Sequence, residues 1–407
     1  FLSFIKMEKE SLKKIGENDD QFFPEKIGEF SDMGLKKELL QGIYKYGFEK
    51  PSPIQQRGII PIIHRKDLIA QAQSGTGKTA TFVIGTLQNI RNEISQVQCM
   101  VVAPSRELAN QIQIVYESIG KLTKIRTQQC IGGTKVTDDR QLYFNKKPQV
   151  IIGTPGRLFD ILSIEKFLSQ NLEYLIIDEA DEMFSRGFKI QIYRIFKYLP
   201  KNCKIALFSA TLPKEILQVI ELFISDPIRI LVKKEELTLE GIKQFYIPVE
   251  KEEWKLEALF DIYRSIKAEQ SIIYVNSRKK VEWLADKMKQ NDFSVTFIHG
   301  EMEQNQRSET MKTFRSGKSR FLITTDLLSR GIDIEKVNFV INYDLPQKKE
   351  SYIHRIGRSG RFGKKGVAIN FLSRVDVLNL REIEAYYSTD IALIPQDFAD
   401  FDFTVNA

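Results

Sequence analysis

Two α/β domains, each a mostly parallel sheet flanked by helices and joined by a short linker, are what this sequence predicts. At 407 residues the chain exceeds what one compact domain ordinarily holds. Short apolar runs rich in Ile and Val alternate with longer stretches of helical periodicity, the signature of successive βα units around a parallel sheet. The alternation occurs twice, on either side of 233–241, a charged stretch poor in bulky residues that reads as a linker.

Residues 1–28 are polar and mixed in charge, without apolar periodicity, and predict a mobile tail. Residue 1 is Phe rather than Met, so a fragment, or a leader ahead of a start at Met7, is expected. The first domain, 29–232, has expected strands at Asp67–Ala72, Gln98–Ala103, Gln149–Gly153, Glu173–Ile177 and Lys204–Ser209. The second, 242–407, has them at Ser271–Val275, Val295–His299, Arg320–Thr324, Phe339–Asn342 and Val367–Phe371.

With 42% hydrophobic and 28% charged residues the composition is that of a soluble globular protein. Apolar runs such as Ile59-Ile60-Pro61-Ile62-Ile63 are far too short for a transmembrane helix. The formal charge of +7 suits a polyanionic partner, or equally reflects a Lys-rich compositional bias. Cys99, Cys130 and Cys203 stand far apart with no CxxC pair, so reduced core thiols are expected rather than zinc ligands. The start of the chain lacks the features of a signal or transit peptide, which makes a cytoplasmic address the default, with the nucleus still open. A monomer is expected. Trp254 and Trp283 are expected to be packing residues.

The chemistry begins at Ala72-Gln73-Ser74-Gly75-Thr76-Gly77-Lys78-Thr79, after a predicted strand and before a helical run. That is the context of a phosphate-binding loop. Backbone N–H groups of Ser74, Gly75, Thr76 and Gly77 cradle phosphate oxygens, Lys78 supplies charge to the β/γ-phosphates, and the Thr79 hydroxyl is a ligand for Mg²⁺. Asp178-Glu179-Ala180-Asp181 follows the apolar run Tyr174-Leu175-Ile176-Ile177, placing acids at the carboxyl end of a sheet, where open α/β folds bind ligands. Asp178 is expected to hold hydrated Mg²⁺, and Glu179 to orient or deprotonate the attacking water. His354-Arg355-Ile356-Gly357-Arg358-Ser359-Gly360-Arg361 is, on its residues alone, either a surface basic cluster or a source of arginine fingers, Arg358 and Arg361, for a phosphoryl group.

Together these segments resemble the ordered motifs of the DEAD-box RNA helicases, from about Phe30 to near Ser388. The resemblance implies two RecA-like domains, ATP as cofactor with Mg²⁺, and RNA-stimulated ATP hydrolysis coupled to local duplex unwinding. Gly47-Phe48-Glu49-Lys50-Pro51-Ser52-Pro53-Ile54-Gln55 is similar to the family's Q motif, so Gln55, Phe48 and the upstream Phe30 are expected around the adenine base. Gly331 and Asp333 match the motif near the ribose, and Arg358 and Arg361 become the arginine fingers. Ser209-Ala210-Thr211 and His354 match coupling motifs. By the same resemblance Arg106, Gly133, Thr154 and Arg157 in the first domain, and Asn276, Arg307 and Thr325 in the second, face the sugar–phosphate backbone of single-stranded or structured RNA without reading its sequence. Ser105 stands where the family usually has Thr, and Ser329 where it usually has Ala.

Within the family, Gly241–Leu256 and Thr324–Leu328 resemble the translation initiation factor 4A branch. That implies mRNA as substrate and a scaffold like initiation factor 4G as partner. An ATP-gated RNA clamp of the exon-junction type is the alternative, and a DNA helicase of the same superfamily is disfavoured by the Q motif and the DEAD sequence. The expected cycle has ATP and RNA each engaging both domains, so that binding one favours the state the other prefers.

Overall fold

The computed structural model describes residues 27–72, 75–133, 135–185, 187–212, 217, 222–224, 226–230, 242–265, 270–328, 334, 336–359 and 366–395. The expected linker 233–241, and most of the expected tail 1–28, lie outside these. The chain divides into two compact units, one ending at Val232 and the other starting at Lys233.

The first unit holds a seven-stranded sheet in the order β3-β4-β2-β5-β6-β1-β7. Its strands are β1 (Leu68–Gln71), β2 (Cys99–Val102), β3 (Thr127–Cys130), β4 (Val150–Gly153), β5 (Tyr174–Asp178), β6 (Lys204–Ser209) and β7 (Ile228–Ile230). Every pairing is parallel. Because side chains alternate across a strand, each one feeds two cores. Cys99 and Val101 of β2, Tyr174 and Ile176 of β5, and Ala206 and Phe208 of β6 enter one. Their neighbours Met100, Val102, Leu175, Ile177, Ile205 and Leu207 enter the other. Helices cover both faces, which is why the strands read as continuous apolar runs.

The second unit repeats the plan with β8 (Ile242–Pro248), β9 (Gln270–Tyr274), β10 (Val295–Ile298), β11 (Phe321–Thr324), β12 (Val337–Asn342), β13 (Gly366–Leu372) and β14 (Ala392–Leu393). Its order is β10-β11-β9-β12-β13-β8-β14. Numbered from its own first strand, that is the same order as in the first unit. Phe321 and Ile323 face one core while Leu322 faces the other.

The ten expected strands are present within a residue or two at each end. Four more, β3, β7, β8 and β14, are absent from the sequence-based expectation. Three of them are sheet edges and the fourth, β8, pairs with an edge. Edge strands need no unbroken apolar run: Thr127-Gln128-Gln129-Cys130 is mostly polar, and β8 mixes Lys243 and Gln244 with aromatics and ends in Pro248. The two tryptophans depart from their expected packing role, being 46% and 42% exposed. The three cysteines are free thiols. Burial pushes the Cys99 thiol up to about 12, and raises those of Cys130 and Cys203 as well, so none favours a reactive thiolate. Among the described residues no helix is long and apolar enough to cross a membrane.

Candidate active site

The glycine loop leaves β1 and enters the helix Lys78–Asn89. Gly75 and Gly77 sit at φ +86° and +102°, where an L side chain is strained, and a Cβ on Gly77 would lie 2.6 Å from Gln55 Nε2. Gln73 and Ser74 lie outside the described residues. The loop is gripped from the side by the segment before it in sequence. Ser52 Oγ donates to the Thr76 carbonyl at 2.7 Å, and Gln55 Oε1 accepts the Ser52 N–H at 2.8 Å, closing a capping box on the helix Pro53–Ile63. Gln55 is thereby buried against the phosphate loop.

Phe48 is half-buried, 6.3 Å from the Phe30 ring and 5.0 Å from the exposed Tyr46. Phe30, expected in the base pocket, is 0% exposed and belongs to the core. It packs against Phe48, and Phe48 and Tyr46 are the more exposed rings of the three. Tyr46 was not among the expected site residues, because a single Tyr at the end of an amphipathic helix carries no distinguishing signal.

Lys78 opens its helix and is 5% exposed. Its Nζ donates to the Ala72 carbonyl at 2.9 Å and lies 3.6 Å from Glu179 Oε1. Asp178 ends β5, with Oδ1 accepting the Glu179 N–H at 3.0 Å. Burial, and then the neighbouring Glu179 charge, push the Asp178 carboxyl up to about 7 against the pull of Lys78. Glu179 sits at φ +52°, a left-handed backbone that costs a non-glycine residue on the order of 1 kcal/mol or more. Asp178, Glu179 and Asp181 are all buried, the first two beside the Lys78 ammonium. All three are oxygen donors, and Thr79, partly exposed in the first turn of the helix, adds a hydroxyl. Such a set, with excess negative charge, fits a hard divalent cation such as Mg²⁺.

The acids are tied to the next strand. Thr211 Oγ1 donates to Asp181 Oδ2 at 2.5 Å, Ser209 Oγ donates to the Thr211 carbonyl at 2.7 Å, and the Asp181 N–H donates back to Ser209 Oγ at 3.3 Å. Asp178 stands opposite Phe208 in the β5–β6 register, so the two segments leave the sheet side by side. The expected coupling residues Ser209 and Thr211 are thus bonded directly to the acidic motif.

Further along the same edge, Ser105 caps the helix Arg106–Ile119 by accepting the Leu108 N–H at 3.2 Å, so the hydroxyl retained there has a structural use. Arg106 runs beside Gly132 and Gly133. Gly133 is at φ +98°, and a Cβ on it would come within 2.8 Å of the Arg106 guanidinium. Thr154 precedes the helix Pro155–Ile164 and is partly exposed, its N–H donating to the Cys130 carbonyl at 3.2 Å. Arg157 is 8% exposed with its guanidinium on Asp139, which fixes its position beside Thr154.

In the second unit Asn276 and Thr325 follow β9 and β11 at the carboxyl edge of the sheet. Thr325 is partly exposed. The Asn276 amide is bonded at both ends, Nδ2 to the Leu345 carbonyl at 2.7 Å and Oδ1 from Arg355 at 2.8 Å, which fixes its orientation. Arg307, in the helix Gln304–Arg315, is 5% exposed. Arg358 is buried, its Nε donating to the His354 carbonyl at 3.1 Å, and His354 is buried too. Arg361, Gly331 and Asp333 lie outside the described residues.

Sequence reasoning missed Arg355. Fully buried, it donates to Asp326 Oδ1 at 2.5 Å, Asn342 Oδ1 at 3.2 Å and the Asp344 carbonyl at 2.7 Å besides Asn276. One guanidinium therefore joins four segments. It is the first arginine of a basic run whose spacing does not say which member joins a network.

Two family models match the chain, "DEAD/DEAH box helicase" over residues 52–219 and "Helicase conserved C-terminal domain" over residues 254–363. The ATP-dependent RNA helicase eIF4A of Pyricularia oryzae is 55% identical over 378 residues, covering 93% of this chain and 95% of that protein. That of Aspergillus niger is 56% identical over 378 residues, with the same coverage. Among solved structures, Saccharomyces cerevisiae Dbp5 bound to RNA and ADP BeF3 is 37% identical and superposes with a TM-score of 0.85, covering 91% of this chain and 97% of that one.

Proposed function

The chain belongs to the DEAD-box family of ATP-dependent RNA helicases and is similar throughout to initiation factor 4A; from that premise we propose how its own residues divide the work. The observation that carries the reading is the buried cluster of Lys78, Asp178 and Glu179 at the mouth of a glycine loop.

ATP binding draws the Lys78 ammonium from the Ala72 carbonyl and Glu179 to the β- and γ-phosphates. Glu179, released from that ion pair, orients the attacking water and takes its proton as the bond from water oxygen to γ-phosphorus forms and the bridge to the β-phosphate breaks. Bound Mg²⁺ supplies charge neutralisation on the phosphates, with Asp178 and the Thr79 hydroxyl as its protein ligands. The Ser52–Gln55–Thr76 clamp ties the occupancy of the base site, beside Phe48, to the shape of the phosphate loop. Arg358 and Arg361 supply positive charge to the transferred phosphoryl group. The Asp181–Thr211 hydrogen bond passes the state of the acids to the coupling segment. RNA is held by its backbone through Arg106, Gly133, Thr154 and Thr325.

The similarity to initiation factor 4A supports mRNA as the substrate, the cytoplasm as the place of action, a monomeric enzyme and a scaffold of the initiation factor 4G kind as partner. Steady-state ATP hydrolysis with and without single-stranded RNA, beside a single-stranded DNA control and Glu179→Gln, tests the assignment. RNA-specific stimulation that disappears in the variant is expected. Negligible turnover together with ATP-dependent RNA retention would replace the helicase cycle by a clamp.

A further inference from the structure

We propose that Asp344 is a positioning residue for RNA, the group that fixes the segment Asn276-Ser277-Arg278 at the carboxyl edge of the second sheet. β9 and β12 are parallel neighbours with Tyr274 opposite Asn342, so the two chains leave the sheet together. Two residues past β12, Asp344 closes onto the other chain from both its backbone and its side chain. Its N–H donates to the Tyr274 carbonyl at 3.2 Å. Oδ2 accepts the Asn276 N–H at 2.9 Å, and Oδ1 accepts from Lys280 Nζ at 2.5 Å. Lys255 Nζ lies 3.5 Å from the same Oδ1.

The two carboxylate oxygens thus grip both ends of one short turn. Asn276 enters it, and Lys280 lies in the first turn of the helix Arg278–Gln290, whose cap is Ser277. Between them Ser277 and Lys279 are exposed and Arg278 is half-exposed. The Asn276 amide bonds Leu345 and Arg355, and Arg355 also holds the Asp344 carbonyl at 2.7 Å. The side chains best placed to meet RNA are those of residues 277–279, Arg278 resting on the exposed Glu301 carboxylate that a phosphate can replace, and their placement depends on Asp344. A carboxylate is suited to this because it accepts an N–H on one oxygen while neutralising an ammonium on the other.

The inference rests on the reading that Asn276–Arg278 meets RNA, so the experiment separates the two. The full chain is titrated with a single-stranded oligouridylate of 20 nucleotides or so, and ATPase activity gives the RNA concentration at half-stimulation, kcat at saturating RNA and the KM for ATP. Asp344→Asn keeps an acceptor for the Asn276 N–H and removes one of the two carboxylates that hold Lys280, leaving Glu252 as the other. It is expected to raise the half-stimulating RNA concentration about tenfold while kcat and the ATP KM stay within about twofold.

Lys255→Met is a second variant in case Asp344→Asn does not fold. Lys255 is 3% exposed and cannot touch RNA itself, so a rise of about threefold in the same quantity is expected from loosening Asp344 alone. Unchanged half-stimulation in both folded variants, or a joint fall of kcat and rise of the ATP KM, overturns the positioning role. Arg278→Ala tests the underlying reading: if it leaves half-stimulation unchanged, the RNA placement of the segment is wrong and the inference falls with it.

Discussion

The two units share one strand order, and each carries a lysine at the start of the helix after its first strand and an acid after its fifth. In the first unit Lys78 Nζ lies 3.6 Å from Glu179 Oε1; in the second Lys255 Nζ lies 3.5 Å from Asp344 Oδ1. What differs is the space around the pair. Glycines at φ +86° and +102° open the first loop for phosphates. The matching loop of the second unit, Val249-Glu250-Lys251-Glu252-Glu253, has no glycine. There Glu252 accepts from Lys255 at 2.8 Å and also from Lys280. Burial alone would raise the Glu252 carboxyl, yet the two lysines hold it below the usual range. Burial pulls the Lys280 ammonium down, yet Asp344 and Glu252 carry it above the ordinary lysine value. In the second unit built-in carboxylates take the place that the first unit's glycine loop gives to a bound phosphate. The same scaffold is a catalytic site when its anion is exchangeable and a structural brace when its anion is built in.

Four variants break or sharpen that comparison. Glu179→Gln, which keeps the shape and removes the base, is expected to lower RNA-stimulated kcat at least about a hundredfold with nucleotide binding retained, as read by turnover beside nucleotide titration. Gly77→Ala places a Cβ 2.6 Å from Gln55 Nε2 on a backbone at φ +102°. Its nucleotide affinity should fall about tenfold, whereas no residue of the second loop is under such a constraint.

Asp178→Asn separates function from stability. A carboxyl raised to about 7 in the folded chain, above the ordinary aspartate range, binds its proton more tightly when folded. The ligand-free protein therefore gains stability as pH falls from about 7 towards 4 and carries the full cost of the ionised group above 7. At pH 8 the variant should melt about 3 °C or more higher than the parent, and near pH 4 the difference should vanish, while turnover is lost. Thermal melts at the two pH values check it.

Glu252→Ala is the smallest effect and the sharpest test of the comparison. It leaves Lys255 and Lys280 to share Asp344, and the midpoint should drop by about 2–4 °C. Inorganic phosphate should restore more of the variant's midpoint than it adds to the parent's, and at matched ionic strength sodium chloride should not. Equal responses to phosphate would mean that the second unit retains no anion site.

The motif residues were legible in the sequence because phosphate chemistry constrains local spacing. A glycine loop between strand and helix, and acids at the end of an apolar run, are patterns within a few residues of each other. Central strands were legible for a related reason, since burial on both faces requires unbroken apolar runs such as Tyr174-Leu175-Ile176-Ile177. Edge strands such as Thr127–Cys130 were not, because one exposed side removes that requirement. Nor could the sequence say which polar side chains turn inward. The structure braces or buries Arg157, Arg307 and Asn276, while Arg355, one basic residue among several, became the centre of a network. Local pattern determined the fold class, the nucleotide loop and the acidic motif, since each depends on residues adjacent in the chain. Tertiary structure alone decided the long-range partners of buried polar groups, because Asp139 and Arg157, or Asn276 and Asp344, meet only after the sheet has set which strand ends lie side by side.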